Sequence, residues 1–107
     1  TNVIYWSNIA FCYDKMRDLN AFKEAAQKCI DIDSNFIKGY YRLAKAQRRL
    51  WEFDKAQVTV ARGLLLDQYS IDLLELQFII REKINKKDSL YKDTLHANTG
   101  ISNLRFL

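Results

Sequence analysis

The sequence predicts an all-α fold of stacked antiparallel helical hairpins. Three observations carry this. The 107 residues include no proline and only 3 glycines, so little interrupts a helix. Apolar residues recur near the helical period: Trp6, Ile9, Tyr13 and Met16 follow i, i+3, i+7 and i+10, and Tyr40, Leu43, Gln47 and Leu50 repeat that spacing. A register of 34 residues relates the two stripes and returns Ala10 as Ala44, Leu19 as Phe53, Ile30 as Leu64 and Asp33 as Asp67 without a gap.

Five helices are expected, roughly over 2–16, 20–33, 36–50, 54–67 and 71–87. The first and third carry the stripes just given. The second and fourth carry their partners: Phe22, Ala26, Cys29 and Ile30, then Ala56, Val60, Gly63 and Leu64. Polar stretches at 17–20 and 52–54 turn each hairpin, which gives repeats over 1–34 and 35–69. Asp18 or Asn20, Ser34 or Asn35, and Ser70 are the candidate N-caps, because their side-chain oxygens accept from free backbone N–H groups. Ala10 and Ala44 sit mid-helix, where a larger side chain would overpack the approach of the partner helix.

The fifth helix, 70–87, reads as a cap on the open end of the second repeat. Leu73, Leu74, Leu76, Phe78, Ile79 and Ile80 make it strongly apolar, and Lys83, Lys86 and Lys87 complement the dipole at its end. Phe78 falls at the register of Ala10 and Ala44, too large for a third close hairpin, and is expected to shield the inner face of the fourth helix. Residues 88–107, with Leu90, Tyr91, Leu95, Ile101 and Phe106, read as a tail or linker whose helix extends to about His96 at most.

Composition narrows the function. An apolar content of 49% is enough for a core, and no apolar run is long enough to span a membrane. The chain opens on Thr1 rather than Met, which implies sequence upstream. Cys12 and Cys29 fit no metal-ligand spacing and are expected to be buried free thiols, which points to a reducing cytoplasmic or nuclear setting. His96, the only histidine, is expected at the surface with no metal role. There is no Gly-rich phosphate loop, no paired carboxylates at a useful spacing and no Cys–His arrangement with an orienting group. The chain therefore reads as a non-enzyme without cofactors.

Charge points to binding instead. The net charge is +4, and the stretch from Ser34 to Trp51 holds Lys38, Arg42, Lys45, Arg48 and Arg49 with no acidic residue. Lys38, Arg42, Lys45 and Arg49 follow i, i+4, i+7 and i+11, one face of one helix. Such a face favours an acidic partner. The register sets Ser7 beside Tyr41, Asn8 beside Arg42, Phe11 beside Lys45 and Lys15 beside Arg49 along one concave surface. Nucleic acid is the weaker reading, because Tyr40 and Tyr41 are better used as core and groove residues than as stacking platforms.

The 34-residue period and its alternation of large and small residues resemble tetratricopeptide repeats, which implies a right-handed superhelix. The stretches Tyr5-Trp6-Ser7-Asn8 and Ile37-Lys38-Gly39-Tyr40-Tyr41-Arg42 are similar to the second and third repeats of the carboxylate-clamp domains of co-chaperones, protein phosphatase 5 and the large immunophilins. That resemblance, over about residues 2–87, implies binding of the C-terminal Glu-Glu-Val-Asp tail of heat-shock protein 90 or 70 class chaperones. Asn8, Lys38 and Arg42 match clamp positions. Ser7, Phe11, Lys15, Tyr41, Lys45 and Arg49 fall along the groove, and two clamp residues of a first repeat would lie upstream of Thr1. One departure is that Phe22 and Ala26 exchange the sizes usual in the family. The alternatives are a scaffold for another acidic segment, or the targeting module of an enzyme whose catalytic domain lies outside this chain. Without an upstream hairpin, Val3, Ile4 and Tyr5 leave an apolar edge expected to self-associate weakly.

Overall fold

The computed structural model describes residues 2–99, the side chains of 94–99 excepted. These residues form five helices and no strand: α1 (Val3–Met16), α2 (Leu19–Ile32), α3 (Ile37–Arg49), α4 (Phe53–Leu66) and α5 (Ile71–Thr99). The pairs α1–α2 and α3–α4 are antiparallel hairpins, and α5 packs on α4 and α3.

The register predicted from sequence recurs in the details of the turns. Each hairpin closes with a left-handed residue, Arg17 at φ 62° and Trp51 at φ 64°. The N–H of the following residue reaches back five residues along the chain, Asp18 to Tyr13 O at 3.1 Å and Glu52 to Gln47 O at 2.8 Å. This bonding satisfies carbonyls that the helix end would leave open. After the second helix of each hairpin, an aspartate side chain accepts from the backbone two residues on: Asp33 from Asn35 N at 3.0 Å, and Asp67 from Tyr69 N at 3.0 Å. A cation also lies over the aromatic at the same register, Lys28 over Trp6 at 5.2 Å and Arg62 over Tyr40 at 5.3 Å.

Caps follow the sequence in part. Asn2 accepts from Ile4 N and Asp18 from Ala21 N, and Ser70 Oγ lies 3.4 Å from Leu73 N. Neither Ser34 nor Asn35 caps α3, whose N-cap is Phe36 with no side-chain bond. Asp33 has drawn the intervening residues into its own turn, so the chain enters α3 two residues later than a Ser34 cap requires.

The core is continuous along the stack. In the first hairpin Ala10, Phe22 and Ala25 pack with Ala46 of α3. Between the hairpins lie Ala26, Ile30, Tyr40 and Leu43. Over the second hairpin Ala44, Ala56 and Val60 pack with Leu73, Leu76 and Ile80 of α5. Ala10 and Ala44 are fully buried, as their mid-helix position requires. Gln47, the polar member of its stripe, is buried and accepts from Thr59 Oγ1 at 2.7 Å. Met16, the last member of the first stripe, is instead exposed.

Three expectations are corrected. Phe78 does not shield α4: it is 67% exposed, and Leu73, Leu76 and Ile80 do the covering. The helix meets the second hairpin with the face that α3 turns toward α2, so the face carrying Phe78 is left outward. Cys12 is exposed, and only Cys29 is buried. The cap does not end near Lys87, because α5 continues as one helix to Thr99, with Leu90 and Tyr91 exposed along it. The side chains of Leu95 and His96, and Ile101 and Phe106 altogether, lie outside the described residues.

Candidate peptide-binding groove

The first helices of the hairpins, α1 and α3, bring the sequence-predicted residues to one surface. Phe11 of α1 is 46% exposed, with the Arg42 guanidinium 5.7 Å from its ring centre and Lys15 Nζ at 5.2 Å. Asn8 lies one turn before Phe11 on α1, and Lys38 one turn before Arg42 on α3. The Phe11–Arg42 contact therefore sets the Asn8 and Lys38 faces beside each other. Asn8 and Lys38 are both exposed.

Arg42 differs from its neighbours. It is partly buried, and its Nε is shielded from solvent with no hydrogen-bond partner. It also affects Cys29: burial pushes that thiol above its ordinary range, and the Arg42 charge only partly counters the rise.

The basic face of α3 is not uniform. Lys45 donates to Asp14 Oδ2 of α1 at 2.9 Å, and Arg49 donates to the other oxygen of the same carboxylate. Asp14 is 10% exposed at its side chain. Burial pushes its carboxyl up, but the hydrogen bonds and charges of Lys45 and Arg49 outweigh that and hold it below the usual carboxylate range. The expected run of free cations is thus corrected: the chain itself supplies the anion for Lys45 and Arg49.

The other groove residues divide. Tyr41 is half-buried against the core and lines the space between α3 and α5 with Lys45 and Arg48. Ser7 is 4% exposed and sits inside the stack rather than on an open surface, because the turn of α1 that presents Asn8 points Ser7 inward. Asp14 was missed from sequence. Its signal is a charge reversal at one register, since Asp14 corresponds to Arg48.

Among the described residues, no group of His, Cys, Asp and Glu is arranged to hold a metal ion. No helix there is long and apolar enough to cross a membrane.

Residues 3–36 match the tetratricopeptide repeat profile. The chain is 38% identical over 81 residues to Hsp70-Hsp90 organizing protein 3 of Arabidopsis thaliana, covering 76% of this chain and 14% of that protein. It is 37% identical over 81 residues to the Hsp70-Hsp90 organizing protein of Triticum aestivum, again 76% and 14%. Against the DnaJ homolog subfamily C member 7 homolog of Dictyostelium discoideum it is 31% identical over 105 residues, 95% of this chain and 20% of that one. The chain thus spans about a seventh of the length of the organizing proteins it matches. With hairpins, turns and packing repeating at 34 residues, this is a tetratricopeptide-repeat chain whose relatives include the Hsp70-Hsp90 organizing proteins.

Proposed function

We propose that the chain is a non-catalytic docking module that adapts a larger protein to heat-shock protein 90 or 70 class chaperones by holding the chaperone's acidic C-terminal tail. Relatives named as Hsp70-Hsp90 organizing proteins support the class of partner. The observation that carries the site is Arg42. It has no carboxylate partner among the described residues and lies against the exposed Phe11, while Lys45 and Arg49 share the carboxylate of Asp14.

The chemistry suits a C-terminal aspartate, which offers two carboxylates in one residue. Arg42 can take one bidentately, Lys38 adds a point charge, and the Asn8 amide can both donate and accept. Each well-made charged hydrogen bond contributes roughly 1.5–3 kcal/mol. Ordering a flexible tail costs several kcal/mol against that, so three residues give modest affinity. An unbridged pair of cysteines suits the reducing cytoplasm that such partners occupy.

Calorimetry with a Glu-Glu-Val-Asp peptide, as free acid and as C-terminal amide, tests the reading. Arg42→Glu should abolish binding. Arg42→Lys should weaken it, since a point charge cannot replace the fork. Amidation should weaken it comparably, by removing one carboxylate. Equal affinity for acid and amide, or an unaffected Arg42→Glu chain, would replace this reading with a scaffold for internal acidic segments.

A further inference from the structure

The C-terminal end of α3 carries a second, separate cationic site. Arg17, Arg48, Arg49 and Lys83 converge on a depression of about 340 Å³ beside Trp51, and no acidic residue lines it. Arg49 is turned to Asp14. Arg17, Arg48 and Lys83 have no ion-pair partner among the described residues, and Arg48 Nε is buried without a hydrogen bond. Cations at helix ends complement the dipole, which accounts for Arg17 and for the presence of Arg48 and Arg49. It does not account for Lys83, well inside α5.

The 34-residue register explains how the site arises. Asp14 on α1 meets Lys45 and Arg49 of the next first-position helix. Arg48 holds the register of Asp14 on α3, and the residues at the registers of Lys45 and Arg49 on α5 are Ile79 and Lys83. At the register where α1 and α3 set acid against base, α3 and α5 set cation against cation. Asp72 and Glu75 line the neighbouring groove with Arg48, but neither pairs with it.

We propose that Arg17, Arg48 and Lys83 receive a second negative charge of the bound peptide, an acidic or phosphorylated side chain about four residues before its C-terminus. This rests on the terminal-carboxylate reading above. The spacing follows from α3: from midway between Lys38 and Arg42 to Arg48 is about 12 Å at 1.5 Å per residue, which an extended peptide covers in about four residues at 3.3 Å each. Asp14 keeps the two loci apart. It holds Lys45, which lies between them, in an ion pair, so the groove reads two charges at a set distance rather than any acidic run.

The test is calorimetry on the full chain with free-acid peptides of one length. A single Glu, or a single phosphoserine, is stepped through an otherwise neutral sequence from one to seven residues before a C-terminal Asp. Affinity should peak about tenfold above the neutral peptide at three to five residues. The peak should vanish in Lys83→Glu, an exposed site that the fold tolerates, and in Arg48→Glu, while both variants still prefer free acid over amide. A peak at this position for either residue supports the second locus, and the phosphoserine peak should be the larger because it carries about −1.5 to −2 charge against −1 for Glu. A flat profile, or one that tracks total charge alone, overturns the second locus and leaves the terminal clamp standing. A chain that does not distinguish acid from amide overturns both.

Discussion

Phe22 closes the first hairpin from within, whereas the second has Ala56 at that register and is closed from outside by Leu73, Leu76 and Ile80 of α5. The seams differ in the same way. Where α3 meets α2, Gly39 lies against Cys29 and Ile30; where α5 meets α4, Leu73 lies against Gly63. Position 39 corresponds to 73 and position 29 to 63, so the large and small partners have exchanged sides. Both arrangements fill their space, but they differ in what they depend on. The first hairpin contributes its own filling side chain. The second was left small and borrows its core, which makes α5 part of the second repeat rather than an ornament on it.

Removing α5 breaks this comparison most severely. A chain ending at Tyr69 loses three buried side chains worth about 1.5–3 kcal/mol each, a sum comparable to the whole stability of a small domain. The second hairpin should lose hydrogen-exchange protection first, with Phe22 and its neighbours retaining more. Phe78→Ser, on the outward face of the same helix, should move the urea midpoint by less than about 0.5 kcal/mol equivalent. An unchanged midpoint on truncation would show that α4 needs no cover.

The exchanged seams differ at their glycines. A Cβ on Gly63 would lie 2.8 Å from Leu73 Cδ1 and 3.0 Å from Tyr40 Cβ. Leu73 can turn aside, but Tyr40 Cβ is fixed to the α3 backbone. Overpacking costs about 1–3 kcal/mol, and the gain in helix propensity recovers at most about 1, so Gly63→Ala should destabilise by about 1–2. On Gly39 the nearest atoms are Ile30 Cγ1 at 3.1 Å and Cys29 Cβ at 3.3 Å. Both contacts lie just inside ordinary van der Waals distance, so Ile30 and Cys29 need yield by only a few tenths of an ångström, and Gly39→Ala should fall within about 1 kcal/mol of neutral. Equal losses in chemical denaturation would mean that the two seams are packed alike.

The repeat itself was legible because it is written in periodicity. A stripe of 3.6 and a register of 34 fix which residues face inward and where the chain turns. α5 was harder, because it obeys the register without the partner that gives the register meaning. Aligning Phe78 with Ala44 supplies the right position, but with no second helix to meet, that position faces water. Where the chain enters α3 is set locally: Asp33 takes Asn35 N with its side chain and Phe36 N with its carbonyl, so a Ser34 cap finds Phe36 N already bonded. In the groove the faces of Asn8, Lys38 and Arg42 could be read from spacing. The pairing of Asp14 across to Lys45 and Arg49 could not, since no spacing within one helix reports a partner 31 residues away. Cys12 shows the limit of reasoning by face: Ala10 and Cys12 lie two positions apart on α1, and only Ala10 is buried.

The smallest expected effect concerns the tie between the hairpins. Asp14→Asn keeps the shape and removes the charge, leaving Lys45 and Arg49 unpaired. Their side chains keep 30% and 23% of their exposure, so water takes over part of the interaction, and the loss at pH 7 should be about 1 kcal/mol. The pH dependence identifies the cause. The Asp14 carboxyl is held below its ordinary 3.8 in the folded chain, so the unfolded chain binds its proton first as pH falls. The stabilisation is therefore complete above the ordinary value, and it is lost as the pH drops below that value and through the depressed folded one. Urea midpoints of the two chains should differ by a constant amount from pH 7 to about 5 and converge toward pH 3 and below. Added salt should narrow the gap at pH 7, as expected for a pair in partial contact with solvent. A difference that persists unchanged into acid would trace the effect to the packing of the amide, and the first seam would then resemble the second in lacking an electrostatic tie.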